Sequence, residues 1–292
     1  MDASIIILTK NAGSGFYSLL KRIFAQAFDG EYEVLVIDSG SSDDTVKIAE
    51  EFPAKLTIIK PGEFHHGRTR NLGAALSTGG SLVYITQDAL PTDNQWLQRL
   101  VLALKEPDAA MVVGRQIPWQ DTKPPEKFFY VRNFPAEPIV VKSSSSGYHL
   151  DNIFISNVNS AIKKDVWQQF RFSDTIITAE DKEFSNRILA AGWTVLYEPA
   201  ASVYHAHDLS LRAAFRRYTE FGVALREGAG GLPKPGRSLM RRTLDYFRAE
   251  LRYHRAAGYL KWLPYSMLYE ASKHSGMWLG KSGLVKRHRL RE

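Results

Sequence analysis

The 292-residue chain contains no cysteine. Disulfides, zinc–thiolate sites and thiol nucleophiles are excluded together. Long apolar runs are missing as well: no stretch approaches the roughly 20 apolar residues of a membrane-crossing helix. The opening MDASIIILTKN has no basic segment ahead of its short apolar run, so it does not read as a secretory leader. The expectation is a soluble cytoplasmic protein. Three familiar site signatures are also absent. Asn11-Ala12-Gly13-Ser14-Gly15-Phe16 lacks the third glycine of a dinucleotide-binding G-x-G-x-x-G turn. No G-x-x-x-x-G-K-[ST] phosphate loop and no G-x-S-x-G nucleophile elbow occurs.

Acidic residues are scarce at one end only. From Pro233 to Glu292 there are 14 lysines and arginines against 4 acids, a local charge of +10 where the whole chain carries +7. The rest of the chain is therefore slightly acidic, and the basic excess points to a separate surface role for the C-terminal segment. A hydrophobic content of 44% is enough for a sizeable core. The length suits one large domain with an appendage.

Apolar runs alternate with helical periodicity through the first 115 residues. Ser4–Leu8, Glu33–Asp38, Lys55–Lys60, Ser81–Thr86 and Ala110–Gly114 read as strands. Phe16–Phe28, Thr45–Phe52, Arg68–Ser77 and Asn94–Lys105 read as helices. The pattern predicts an α/β fold with a mostly parallel sheet covered on both faces. Such sheets bind ligands at the carboxyl ends of their strands. Thr9-Lys10-Asn11, Asp38-Ser39-Gly40 and Gln87-Asp88 all fall at those ends. Residues 116–150, rich in Pro and Ser, read as loops. Ile153–Ile162 and a short Thr194–Tyr197 read as strands, and Glu180–Ala191 and Leu211–Arg226 as helices. Gly228–Gly236 reads as a hinge before a basic, aromatic helical tail.

Five segments together resemble a known family: SIIILTKN at 4–11, EVLVIDSGSSDDT at 33–45, HHGRTRNLGAA at 65–75, YITQDALP at 84–91 and AEDKEF at 179–184. Their order and spacing, over roughly residues 3–225, are similar to family 2 glycosyltransferases of the GT-A fold, whose sheet is mostly parallel and Rossmann-like. HGRTRNLGA combined with TQDALP is most similar to bacterial rhamnosyltransferases that use dTDP-L-rhamnose. The domain expectation is a GT-A domain over residues 1–228, with its nucleotide-binding part near 1–115 and its acceptor part near 116–228. Residues 229–292 form a basic amphipathic extension.

The resemblance implies a role for each strand-end residue. Asp38 accepts from the N3–H of a pyrimidine base, with Thr9, Asn11 and Ser39 lining the pocket; as a bare sequence, DSGSSDD could equally be a turn. Arg68 and Arg70 open a helix whose free N–H groups also favour an anion, and they would face the diphosphate. Asp88, with Gln87 beside it, stands where the family carries acid-x-acid. Mg²⁺ can be held by one or two carboxylates plus phosphate oxygens and water, so a single Asp can suffice. His205 and His207 are candidate further ligands, and imidazole would favour Mn²⁺ over Mg²⁺. Asp181 matches the family's catalytic base and Glu180 is a supporting acid. The alternative for this pair is two acids stabilised by a helix dipole. His65 and His66 read as a surface pair.

The expected reaction is inverting, metal-assisted transfer from a dTDP-sugar to an oligosaccharide or a polyprenyl-linked glycan of a surface polysaccharide. A UDP-hexose transferase and a non-catalytic carbohydrate-binding scaffold are the rivals. The basic tail predicts peripheral contact with the inner face of the cell membrane, or else a homodimer arm or an ordinary amphipathic cover for the domain. No recognisable nucleic-acid-binding module accompanies its charge.

Overall fold

Alternating β-branched residues put Ile5 and Ile7 of the first strand, and Val34 and Val36 of the second, into one core with Leu19, Val83, Trp96 and Leu100. In the computed structural model, which describes residues 1–142, 154–176, 179–228 and 239–285, the chain divides into two units. The first comprises residues 1–117 and 133–205, and the second residues 118–132 and 206–292.

The first unit opens with β1 (Ala3–Thr9), α1 (Gly15–Phe24), β2 (Tyr32–Asp38), α2 (Thr45–Glu50), β3 (Lys55–Ile58), α3 (His66–Leu76), β4 (Ser81–Ile85), the two-residue β5 (Leu90–Pro91), α4 (Trp96–Leu104) and β6 (Ala109–Ile117). Next along the chain comes α5 (Pro124–Asn133), most of which belongs to the second unit. The first unit then resumes with β7 (Ile139–Val141), β8 (Asn159–Lys163), α6 (Lys164–Phe170), α7 (Glu180–Ala190) and β9 (Thr194–Tyr204). The sheet runs β3-β2-β1-β4-β8-β6-β9-β5, with β7 on β9. Strands β1 to β4 pair parallel, as does β6 with β9, while β8 lies antiparallel between β4 and β6. The expected α/β architecture, with its mostly parallel sheet, is therefore present. So is the helical C-terminal region.

Three local expectations differ from the structure. Residues 116–150 are not all loop: β6 continues to Ile117, and Pro124-Pro125 starts α5, since a helix's first turn tolerates proline. Of the strand expected over Ile153–Ile162, Ile153 lies outside the described residues, and the strand among the described ones begins at Asn159. The strand expected to end at Tyr197 runs to Tyr204. Pro199 argued for a stop, because proline cannot donate to a ladder. The chain instead loops out: Gly114 pairs with Glu198, and the next residue, Arg115, pairs with Ser202. Residues 199–201 have no partner in that register. A side chain at Gly114 would meet the Ala201 carbonyl at 2.2 Å, so only glycine fits there. The buried Asn159 pins the bulge. Its Nδ2 donates to the carbonyls of Arg115 and Ala201 (3.1 and 2.8 Å), and its Oδ1 accepts from Trp96 Nε1 (2.8 Å).

The second unit is helical: α5, α8 (Leu211–Gly228), α9 (Leu239–Ala256) and α10 (Leu263–Lys281). Helices α8 and α10 approach closely because α10 presents Gly276 and Gly280 to the backbone of α8. An added Cβ at either would lie 2.2–2.3 Å from a carbonyl oxygen, of Phe215 or Thr219. No described helix is long and apolar enough to cross a membrane. The expected hinge at 228–236 falls almost entirely outside the described residues.

Candidate active site

Parallel strands end on the same edge, so β1, β2 and β4 deliver Thr9, Asp38 and the Gln87-Asp88 turn to one side of the sheet. Asp38 is fully buried. Its Oδ1 accepts from the backbone N–H groups of Gly40 and Ser41 (2.9 and 2.8 Å). Its Oδ2 accepts from the hydroxyls of Thr9 and Ser41 (2.9 and 2.6 Å). Ser39 donates both its N–H and its hydroxyl to the Thr9 carbonyl, each at 2.9 Å. Asn11 adopts a left-handed φ of 47° and caps the facing turn, its Oδ1 accepting from Ser42 N–H at 2.8 Å. These residues form one hydrogen-bonded wall.

Gln87, the immediate neighbour of Asp88, is turned toward the backbone of β1. Its Oε1 accepts from Lys10 N–H (2.8 Å) and its Nε2 donates to the Lys10 carbonyl (3.1 Å). A carboxylate could accept the first bond but not donate the second. Gln87 therefore clasps the end of β1, and Asp88 is the one carboxylate of the Gln87-Asp88 turn.

Asp88 is about half exposed, and its Oδ2 lies 3.5 Å from Nε2 of the buried His205. His205 sits just past β9, where its N–H donates to the Ile117 carbonyl (2.9 Å). Its Nδ1 meets the side-chain Oε1 of Gln116 at 2.9 Å. Two donor atoms at right angles around an ion with bonds of about 2.1 Å stand about 3.0 Å apart. The separation of 3.5 Å between a carboxylate oxygen and an imidazole nitrogen thus fits a divalent cation after a small adjustment. His207 follows two residues on and is a third candidate ligand.

The catalytic candidates meet at the start of α7. Ala179 takes a left-handed φ of 67°, uncommon for a residue with a Cβ, and directs the chain into the helix. Glu180 is buried and ion-paired with Arg70 of α3, itself buried. Asp181 accepts from Asn157 N–H at Oδ2 (3.2 Å) and from Lys182 N–H at Oδ1 (2.8 Å). Burial first, and then the charge of Glu180, push Asp181 above the ordinary carboxylate value; Arg70 and Lys182 oppose them. A carboxyl tuned upward is suited to accepting a proton. The Lys182 ammonium lies 4.4 Å from the Phe154 ring centre, and burial lowers its pKa. Arg68 is exposed on α3, and His65 caps that helix, its Nδ1 accepting from Arg68 N–H. Sequence reasoning missed Gln116 and Asn157. Both are buried polar residues in or beside strands, and only the folded partners reveal what they hold.

The family profile described as Glycosyl transferase family 2 matches residues 4–153, and the Glycosyl transferase family group 2 profile matches residues 82–273. This chain belongs to glycosyl transferase family 2. The O-antigen chain rhamnosyltransferase RfbN of Salmonella typhimurium is 30% identical to this glycosyltransferase over 96% of this chain and 90% of its own. WbaN of Salmonella anatum, another O-antigen chain rhamnosyltransferase, is 27% identical over 95% and 89%. Among solved structures, the mannosyltransferase PcManGT from Pyrobaculum calidifontis, in complex with GDP-Man and Mn2+, superposes with a TM-score of 0.60 at 17% identity. That match covers 97% of this chain and 86% of that one. S. aureus TarS 1-349 in complex with UDP gives 0.55 at 14%, covering 100% and 92%. The glycosyltransferase thus has the GT-A fold.

Proposed function

We propose that this glycosyltransferase moves L-rhamnose from dTDP-L-rhamnose to a surface-polysaccharide acceptor on a lipid carrier, inverting the anomeric centre. The near full-length match to two O-antigen chain rhamnosyltransferases carries this reading. The placement of Asp38, Asp88 and Asp181 at the carboxyl edge and the start of α7 supports it.

The thymine N3–H is read by Asp38 at Oδ2, where the rotatable Ser41 hydroxyl gives way to it. Arg68 and Arg70 face the diphosphate; Glu180 takes one nitrogen of the Arg70 guanidinium and orients the rest. Asp88, His205 and His207 hold Mg²⁺ or Mn²⁺, which when bound stabilises the negative charge of the departing diphosphate. The acceptor hydroxyl attacks C1 opposite the phosphate. Its proton passes to the Asp181 carboxylate, the new C1–O bond forms, and the dTDP oxygen leaves with the electron pair of the old one. A β-linked donor yields an α-rhamnoside.

The C-terminal helices favour contact with the membrane that carries such an acceptor. Met267, Leu268 and Trp278 of α10 are 57–66% exposed, beside Lys261 and Lys281. Leu244 and Leu251 of α9 are exposed beside Arg248, Arg252 and Arg255. Apolar side chains among basic heads suit an anionic lipid surface. Replacing Trp278 with Ser should reduce cosedimentation with phosphatidylglycerol-containing vesicles without lowering transfer to a soluble acceptor.

Calorimetric titration with dTDP and UDP, each with and without Mn²⁺, tests the donor site, together with turnover of dTDP-L-rhamnose against UDP-hexoses. Metal-dependent dTDP binding that disappears in Asp88→Ala is expected. A preference for UDP and a UDP-hexose would replace the rhamnose assignment with the hexose one.

A further inference from the structure

Gln116 lies on β6 opposite Val203 of β9, only 3% exposed, and its amide reaches His205 from the side away from Asp88. An amide oxygen can only accept, so the His205 nitrogen facing it, Nδ1, must carry hydrogen. In the neutral ring the remaining nitrogen, Nε2, is then an acceptor, and it faces Asp88 Oδ2. Two acceptors 3.5 Å apart cannot hydrogen-bond to each other, whereas a cation satisfies both. The opposite amide rotation would offer Gln116 Nε2 to Nδ1. It would move the ring hydrogen to Nε2 and turn the pair into an Asp–His hydrogen bond, leaving no imidazole lone pair beside Asp88 for a metal. In this arrangement Gln116 Nε2 is buried with no hydrogen-bond partner, so the contact with His205 is the side-chain hydrogen bond that holds the amide. A buried N–H left unpaired costs about 1–3 kcal/mol.

We propose that Gln116 is a positioning residue of the cation site, fixing His205 as the Nδ1–H tautomer so that Nε2 is presented with Asp88 to the metal. The inference rests on the reading of Asp88 and His205 as metal ligands. It adds a residue that never touches the metal, the donor or the acceptor. Partners of this kind orient ligating histidines elsewhere, and their loss typically costs 10–100-fold in metal affinity.

Two measurements on the full-length protein test it. Long-range ¹H–¹⁵N correlation of the histidine rings in the metal-free enzyme, with His205 assigned by comparison with His205→Ala, should report hydrogen on Nδ1. An Nε2–H ring in the wild type would overturn the proposal outright. Mn²⁺ uptake, followed by electron paramagnetic resonance of the free ion in the presence of dTDP, should then weaken 10–100-fold in Gln116→Leu and in the closer isostere Gln116→Met. Both variants should lose the Nδ1–H signature, and dTDP binding in EDTA should be unchanged. Gln116→Glu keeps an acceptor at the same place and should keep the tautomer and the uptake. If one apolar variant fails to fold by thermal melting, the other and the wild-type tautomer still decide. Equal Mn²⁺ affinity in the wild type and the apolar variants would overturn the role of Gln116 and leave the metal reading standing. No uptake by the wild type would remove both.

Discussion

Each unit of the molecule buries a cluster of charge, and the two clusters are built differently. In the first unit, Arg70 and Glu180 pair across two helices, and Asp181 follows at a helix start. In the second, the Lys273 ammonium pairs with Glu270 at 2.7 Å, with four rings around it. Phe129, Tyr218, Tyr246 and Tyr269 have their centres 5.2–5.8 Å away. Tyr269 donates its hydroxyl to Glu126, so α5, α8, α9 and α10 all contribute to this cage. The first cluster places a carboxyl with a raised pKa in the first turn of a helix, accepting from two backbone N–H groups. The second surrounds its charge with aromatic faces and its own helices. Burial of charge is common to both, so burial by itself does not mark chemistry; the direction in which the group can meet a ligand does.

The sharpest way to break the comparison is to neutralise each cluster in turn. Asp181→Asn should lower kcat by about 10²–10⁴-fold, the usual contribution of a general base, with the melting temperature held. A variant with full turnover would put Asp181 in the same class as the second cluster. Lys273→Met should do the reverse. Removing one partner of a buried pair costs about 3–5 kcal/mol, read as a lower denaturant midpoint, while per-molecule donor binding in the folded fraction stays the same.

The second cluster also predicts a pH dependence. Burial, and then the charge of Glu270, push Glu250 up to about 7 from an ordinary 4.5. The folded state therefore binds the proton more tightly than the unfolded one, and this contribution to stability is complete below about 4.5. It is lost as pH rises through about 7. Glu250→Gln should shrink the fall in melting temperature between pH 5 and pH 8. An unchanged difference would mean that Glu250 does not titrate in that window. The smallest effect is expected at Gln87. Gln87→Glu removes one donor from the clasp on Lys10, worth about 1 kcal/mol, and should weaken dTDP binding by about fivefold. Tighter Mn²⁺ binding in that variant would instead show that a second carboxylate beside Asp88 reaches the cation.

The parts of this contrast that were legible in the sequence follow from local rules. Strands ending in Thr9, Asp38 and Gln87-Asp88 could be placed because short apolar runs meet polar turn residues there, and parallel strands share an edge. The helix at Glu180 could be placed from its apolar spacing. The hidden parts depend on pairings between distant residues. The extension of β9 past Pro199 is set by Gly114 and Asn159, far from it along the chain. Gln116 looks like any strand residue until His205 is set against it. The basic tail read as an amphipathic surface, and that periodicity could not show that Glu250, Glu270 and Lys273 turn inward. A Glu and a Lys three apart on a helix usually lie on a solvated face.

The loop-out at residues 199–201 gives the candidate cation site an address written in chain length. Because β6 and β9 run in the same direction, the number of residues spent opposite Gly114 decides which residue of β9 arrives beside Gln116. Deleting one residue from 199–201 would leave each side chain of the candidate site in the protein, together with the pairing up to Glu198. It would either shift every later partner by one, turning His205 to the opposite face, or pull the bulge flat against Gly114. Such a chain would keep the full composition of the candidate site and lose its arrangement. A comparison of relatives at this fold should therefore count residues between the glycine and the histidine before asking whether the histidine is present.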